Sequence, residues 1–151
     1  MITINTSFWL LCYFGIAWGV RVFPRALYEN NIWFFKNYPF EKELFKILRV
    51  EKWKDRLPEW GKLLNFEKKY LKKVLSLEYI DKFIMETYYA EFGHLAIGIC
   101  GFLCILVNPK EYIVMATICS IVNFIIQIPF CIIQRYNRPR LYRIKNRLKN
   151  R

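Results

Sequence analysis

Charge is almost absent from two parts of this 151-residue chain. Residues 1–20 contain no Asp, Glu, Lys or Arg, and residues 88–134 contain only Glu91, Lys110 and Glu111. Uncharged runs of this length exclude a water-exposed surface and are typical of membrane spans. Hydrophobic residues make up 55% of the chain and charged residues 24%, so the two kinds of residue are segregated. The composition therefore predicts a multi-pass membrane protein with a single domain over residues 1–151.

Signals of several other protein classes are also missing. No basic segment precedes the first apolar run and no A-x-A-like site follows it, so a cleaved signal peptide is not predicted. The net charge of +12 would suit nucleic acid, but the chain has no recognition module for DNA or RNA. The absence of internal repeats argues against a small transporter. The five cysteines all lie in apolar runs, and the chain has only one histidine. Neither a metal nor another cofactor is therefore predicted.

Three apolar runs predict three transmembrane helices, at about residues 4–20, 88–107 and 112–133. Arg21 and Arg25 follow the first run, and the positive-inside rule places them in the cytoplasm. The N-terminus and the short turn Asn108–Glu111 are then predicted outside. The basic segment 134–151 is predicted to be a cytoplasmic tail of a cell-membrane protein.

The charged region between the first two spans, residues 21–87, predicts structure at the membrane surface. Phe40–Leu48 and Phe66–Met85 have apolar residues at helical spacing among charged ones, which indicates amphipathic helices on the inner leaflet. Three tryptophans of this region suit the headgroup layer: Trp33, Trp53 and Trp60. The predicted fold is all-α, with three transmembrane helices plus cytoplasmic interfacial amphipathic helices.

Polar side chains inside membrane spans are costly, so they mark a functional site. We single out five residues in or beside the second and third apolar runs: Glu91, His94, Asn123, Gln127 and Gln134. At about 100° per residue, the three amides point within about 40° of one another, and Glu91 and His94 share a helix face. Counted from the short turn, His94 and Gln127 lie at similar depths, so an antiparallel hairpin brings the polar residues together. The alternative is a hydrogen-bond network that only holds the hairpin together.

A histidine beside a carboxylate suits proton abstraction. We expect His94 to act as a general base on a hydroxyl group, with Glu91 fixing its tautomer and stabilising the imidazolium. Asn123 and Gln127 would donate hydrogen bonds to an acyl donor or to a developing oxyanion. No serine or cysteine is placed as a nucleophile, so direct attack by a substrate hydroxyl is favoured over a covalent acyl-enzyme.

The segment Gln134–Leu141, QRYNRPRL, resembles the C-terminal signature of the glycosyl-4,4′-diaponeurosporenoate acyltransferases. Further elements match in order and spacing: Lys52-Trp53-Lys54, Glu86-Thr87, Ala90-Glu91 and His94. The resemblance implies an integral membrane enzyme that esterifies a fatty acyl chain onto the sugar of a glycosylated carotenoid acid, the last step of a staphyloxanthin-type pathway.

The expected partners are an acyl donor (acyl-CoA or acyl carrier protein), a glycosylated lipid or carotenoid acceptor, and membrane lipids. Arg135, Arg138 and Arg140 suit a phosphate-bearing donor, and equally suit positive-inside topology alone. The expected substrate-binding residues are Asn123, Gln127, Gln134, Asn137, Arg138, Glu86 and Lys54. The alternative function is a non-catalytic membrane subunit or scaffold of an envelope or pigment complex.

Overall fold

The structure, a computed structural model, describes residues 2–29, 33–58 and 76–150. These ranges are helical and contain no strand. Their α-helices are α1 (Ile2–Gly19), α2 (Ala26–Glu29), α3 (Pro39–Ile47), α4 (Val50–Trp53), α5 (Leu77–Cys100), α6 (Cys104–Val107) and α7 (Ile113–Lys149). Short 3-10 turns lie at Lys54–Arg56, Gly101–Leu103 and Lys110–Tyr112. The all-α prediction is confirmed for the described residues.

Two helical segments, Leu77–Val107 and Lys110–Lys149, are long and apolar enough to cross a membrane. Their main helices, α5 and α7, pack against each other as a hairpin. The middle of α7 exposes large apolar residues such as Ile125 and Ile126, while Asn123 and Gln127 are buried. A helix in water does the reverse, so this arrangement favours association with a membrane.

Helix α1 lies along the hairpin from one end to the other. Near the turn, Asn5 and Asn108 exchange amide hydrogen bonds of 2.9 and 2.8 Å. At the opposite end, Arg21 forms an ion pair of 2.7 Å with Glu86 of α5. The helix is not one of the two segments that meet the length and composition of a span, so a third span stays a prediction.

Tyr28 fixes the chain just after α1. Its hydroxyl donates to the carbonyl of Val20 at 2.6 Å, and its ring packs edge-on against Tyr89 with centroids 5.1 Å apart. Burial raises the pKa of the Tyr28 hydroxyl above its ordinary value, so the group stays protonated and keeps donating at neutral pH. This anchor holds Arg21 beside α5.

The predicted interfacial helix over Phe66–Met85 needs a correction. Its first part lies outside the described residues, and from Leu77 onward the chain is already α5, capped by the Ser76 hydroxyl. Leu77 is 40% exposed, whereas Ile80, Phe83, Ile84 and Met85 are buried. These four lie in a core with residues from three other segments: Tyr28, Phe35, Ile80, Phe83, Ile84, Met85, Tyr88 and Leu141. The core exists because α7 continues past its apolar run and presents a second apolar face to α5.

The basic segment 134–151 continues α7 as a helix as far as Lys149, and its cytoplasmic position stays a prediction. The helix runs through Pro129 and Pro139. Its 37 residues are about 55 Å long at about 1.5 Å per residue, which exceeds the ~30 Å of a hydrocarbon layer. Helix α7 is therefore longer than a single membrane span requires.

The amphipathic helix predicted over Phe40–Leu48 is α3. Phe40 and Ile47 are exposed, whereas Glu41, about 100° round the helix from Phe40, is buried. Its helical structure is confirmed, and its position on the inner leaflet stays a prediction. Of the three tryptophans, Trp33 is exposed, Trp53 is half-buried and Trp60 lies outside the described residues.

Candidate active site

A hydrogen-bonded network of side chains lies inside the hairpin and contains the chain's single histidine. The Nδ1 atom of His94 on α5 lies 2.7 Å from Oε1 of Gln127 on α7. The Gln127 amide nitrogen donates to the hydroxyl of Tyr13 at 3.1 Å and to Oδ1 of Asn123 at 3.2 Å. The Tyr13 hydroxyl donates to the same Asn123 oxygen at 2.9 Å. The Asn123 amide nitrogen donates to the backbone carbonyl of Ile97 at 3.1 Å.

The imidazole of His94 is covered on one face. Its ring stacks on Phe130 with centroids 4.7 Å apart and an interplanar angle of 15°. The residue as a whole is half-buried, so part of it can be reached from outside the hairpin. A ring that is held at one nitrogen and stacked on one face has little freedom to rotate.

Glu91 makes different contacts from those its spacing suggested. Its Oε1 accepts from Arg135 at 2.6 Å and its Oε2 accepts from Arg138, so both carboxylate oxygens are taken by arginines of α7. The hydrogen-bond partner of the His94 Nδ1 atom is Gln127. The physical reason is that α7 continues as a helix, which puts Arg135 and Arg138 on one side, facing α5. A buried carboxylate needs a compensating charge, and two guanidinium groups supply it.

Arg138 is fully buried and its guanidinium is used inside the protein. Besides Glu91, it donates to the Thr87 hydroxyl at 3.1 Å and to the Phe35 carbonyl at 3.3 Å. It also lies over the ring of Tyr88, 3.8 Å from the centroid. These contacts join α5, α7 and the segment before α3, so Arg138 serves first to hold these parts together.

Arg135 ties the segment before α3 to α7. Its guanidinium donates to the carbonyls of Phe34 and Lys36, both at 2.8 Å. It also contacts the Glu41 carboxylate of α3 at 2.8 and 2.5 Å. The segment 33–41 is thereby fastened across the end of the hairpin that lies opposite the turn at Asn108. We call it the strap.

Comparison with known proteins identifies the family of the chain. The sequence model of one family, described as glycosyl-4,4′-diaponeurosporenoate acyltransferase, matches residues 31–147. The chain belongs to this family.

Proteins named glycosyl-4,4′-diaponeurosporenoate acyltransferase are similar over nearly the whole chain. The protein of Staphylococcus aureus strain MRSA252 is 31% identical over 152 residues, which cover 97% of this chain and 88% of the relative. That of strain N315 is 30% identical with the same coverage, and that of Staphylococcus haemolyticus strain JCSC1435 is 28% identical over 91% of this chain and 81% of the relative. No solved structure matches the chain.

The other residues that the sequence predicted for the site lie in different parts of the structure. Gln134 is buried on α7 and Asn137 is half-buried one turn before Leu141. Glu86 is paired with Arg21, and Lys54 is paired with the adjacent Asp55 at 2.8 Å. In the described ranges, no group of three or more His, Cys, Asp or Glu side chains is placed to hold a metal ion.

Sequence reasoning missed Tyr13 and Glu41, and it named Thr87 only as part of the family resemblance. Tyr13 was passed over because tyrosine counts as hydrophobic in a span. Its hydroxyl still needs a partner in an apolar environment, so the rule that selected Asn123 and Gln127 applies to it as well. Glu41 gave no signal, because the amphipathic pattern of α3 does not show that its polar side meets protein.

Proposed function

We propose that this chain is a membrane acyltransferase that transfers a fatty acyl group to a sugar hydroxyl of a glycosylated carotenoid or a related glycolipid, with His94 as general base. The acceptor class comes from the names of its relatives. The observation that carries the catalytic part is the 2.7 Å contact between His94 Nδ1 and Gln127 Oε1 inside an apolar hairpin. Such a contact orients an imidazole for proton transfer.

The proposed reaction is the attack of a hydroxyl group on an acyl thioester. His94 takes the proton of the acceptor hydroxyl while its oxygen forms a bond to the thioester carbonyl carbon. The carbon–sulfur bond then breaks, and the leaving thiolate receives the proton from the imidazolium. The products are an ester and a free thiol, and His94 returns to its neutral form.

The position of His94 suits amphiphilic substrates. It follows Glu91 by one helical turn, about 4.5 Å along the axis, and so lies just on the membrane side of the arginine–glutamate contacts. A sugar and a thioester can approach at this level while their apolar chains remain in lipid. The half-buried imidazole supports approach from the side of the hairpin.

We also propose three spans, with the N-terminus outside, the C-terminus in the cytoplasm, and α3 on the inner leaflet. The extended packing of α1 along the hairpin supports the third span, since Asn5 meets the outer turn and Arg21 meets the inner end of α5. Large apolar residues such as Leu11 and Phe14 are exposed on α1, as lipid contact would require. Phe40 and Ile47 of α3 are exposed in the same way.

The acyl donor is proposed to be acyl-CoA or acyl carrier protein, and Arg140 is the arginine best suited to its phosphate. Of the three arginines in the QRYNRPRL segment, Arg138 is fully buried and Arg135 is held by two carboxylates. Arg140 keeps 45% of its side chain exposed and contacts Glu51 only at 3.6 Å. An exposed guanidinium can bind phosphate with charge-assisted hydrogen bonds.

The decisive experiment measures ester formed per unit of purified, reconstituted protein. His94→Ala should lower turnover by about two to four orders of magnitude, the usual worth of a general base. Ser120→Ala is the matched control, because Ser120 donates across the hairpin to the Gly101 carbonyl at 3.0 Å without joining the histidine network. Wild-type turnover in a folded His94→Ala protein would exclude His94 as the general base, whereas the absence of ester from the wild-type protein would favour the subunit or scaffold function.

A further inference from the structure

One end of the histidine network fixes the position of every proton in it. The carbonyl oxygen of Ile97 can only accept a hydrogen bond. The Asn123 side-chain atom 3.1 Å from it must therefore be the amide nitrogen, and the Asn123 oxygen must point the other way. This choice between oxygen and nitrogen needs no reference to the histidine.

The assignment passes along the network by the same rule. The Asn123 oxygen accepts from Gln127 at 3.2 Å and from Tyr13 at 2.9 Å. The Gln127 atom on that side is then its amide nitrogen, and its oxygen faces His94 at 2.7 Å. An amide oxygen only accepts, so the Nδ1 atom of His94 carries a hydrogen. The neutral imidazole therefore has its lone pair on Nε2.

We infer that this amide chain fixes His94 as its Nδ1–H tautomer and that Tyr13 is a positioning residue for it. The inference rests on the proposed function, because it leaves Nε2 as the basic atom of the proposed general base. Tyr13 accepts one of the two N–H groups of Gln127 and donates to Asn123, so it closes a three-membered ring of hydrogen bonds. That ring holds the Gln127 amide against a flip that would turn its nitrogen toward the imidazole.

The packing at Asn123 is built for this arrangement. A Cβ atom at Gly101 would lie 2.5 Å from the Asn123 amide nitrogen. Glycine at this position leaves the room in which the amide reaches the Ile97 carbonyl. The same Cβ would lie 3.1 Å from the ring of Trp9 on α1. Helix α1 thus takes part in the site through Tyr13, and it closes the space beside Asn123.

The single histidine of the chain makes the tautomer directly measurable. Protein labelled with ¹⁵N-histidine gives signals from one imidazole, and nitrogen NMR distinguishes a protonated ring nitrogen from an unprotonated one. We expect the wild-type protein in lipid nanodiscs to show protonated Nδ1 and unprotonated Nε2 at a pH where the ring is neutral. A wild-type spectrum with the proton on Nε2 would overturn the inference.

Two variants test this network of amide hydrogen bonds. Tyr13→Phe should give a mixture of both tautomers, because the Gln127 amide loses one of its two acceptors. Gln127→Glu should keep the Nδ1–H form, because a carboxylate also accepts from Nδ1. Tyr142→Phe is the matched control, since it removes a hydroxyl that contacts Tyr88 at 3.1 Å in a different part of the hairpin. A Tyr13→Phe spectrum identical to that of Tyr142→Phe would overturn the role of Tyr13.

Activity separates this inference from the proposed function. Tyr13→Phe should lower kcat by about two- to tenfold, the worth of one hydrogen bond, and leave KM near its wild-type value. If Tyr13→Phe has a wild-type kcat although its histidine is a mixture of tautomers, Tyr13 is not a positioning residue for catalysis. If His94→Ala keeps full activity and the wild-type protein shows the Nδ1–H form, the proposed function fails and the tautomer assignment stands. If His94→Ala is inactive and the proton is on Nε2, the tautomer assignment fails and the proposed function stands.

Discussion

Arg138 of α7 and Glu91 of α5 form an ion pair in which the arginine side chain is fully buried and the glutamate side chain is 2% exposed. Arg135 contacts the other oxygen of the same carboxylate. Ion pairs of this kind add little net stability over apolar packing, but removal of one partner leaves a buried charge without compensation. The pair therefore specifies how α5 and α7 meet, and it makes Glu91 a sensitive position.

Glu91→Gln should destabilise the protein by about 3 to 5 kcal/mol, because Arg138 would be left buried without a counter-charge. The free energy of unfolding can be measured by SDS titration in mixed micelles. Glu43→Gln is the control, since Glu43 pairs with Lys46 on the exposed side of α3 and should leave stability unchanged. Wild-type stability of Glu91→Gln would contradict the structural role of the carboxylate.

Gly101→Ala should lower stability by about 1 to 3 kcal/mol, the usual cost of overpacking. The reason is that the new Cβ would lie 2.5 Å from the Asn123 amide nitrogen. Gly93→Ala is the matched control, because its Cβ would meet Val20 at an ordinary 3.9 Å. The same unfolding titration compares them. Equal stability of the two variants would mean that α1 and α7 do not approach Gly101 as described.

Glu41→Gln should loosen the strap, since Arg135 would lose its charged contact with α3. Limited trypsin digestion of the protein in micelles should then cut faster at Lys36 and Lys42. Glu43→Gln changes a neighbouring residue of the same helix whose exposed side chain pairs with Lys46, and its digestion pattern should match wild type. An unchanged cleavage rate in Glu41→Gln would show that the backbone carbonyl contacts hold the strap without the ion pair.

Arg140→Gln should raise the apparent KM for the acyl donor by about tenfold, the worth of one charge-assisted hydrogen bond. Protein abundance and kcat should stay near wild type. Arg147→Gln removes an exposed charge two turns further along α7 and serves as the control. A normal KM in Arg140→Gln would exclude this arginine from donor binding.

Membrane topology can be tested with single cysteines at Lys110 and Asn150 in a background without the native cysteines. The positive-inside rule predicts that position 110 faces outward and position 150 faces the cytoplasm. An impermeant thiol reagent should therefore label position 110 in intact cells and position 150 only after permeabilisation. The opposite labelling pattern would invert the proposed orientation.

The sequence predicted the histidine network well for a simple reason. His94, Asn123 and Gln127 are polar residues in apolar runs, and the regular advance of an α-helix places them on facing sides. The partner of Glu91 could not be found in this way. The arginines that bind it belong to a basic segment that also satisfies the positive-inside rule, so its sequence does not reveal that α7 continues inward against α5.

The same limit explains the interfacial region. Ile80, Phe83 and Ile84 recur at helical spacing, and this pattern is identical whether a helix faces lipid or protein. Only the apolar face of α7 around Leu141 decides between the two, and that face is distant in sequence. The sequence does not predict the strap, because its carbonyl contacts to Arg135 use backbone groups that every residue possesses.

The contacts of the strap also bear on the net charge of α7. Arg135 and Arg138 are matched by Glu41 and Glu91, so this group of four side chains has a formal charge of zero. A neutral group gains and loses nothing when it moves in the transmembrane potential. In the proposed topology, the charge that orients α7 then comes from its last turns, beginning at Arg140. Those turns also carry the arginine proposed to meet the donor, so neutralising them all would change orientation and donor binding together.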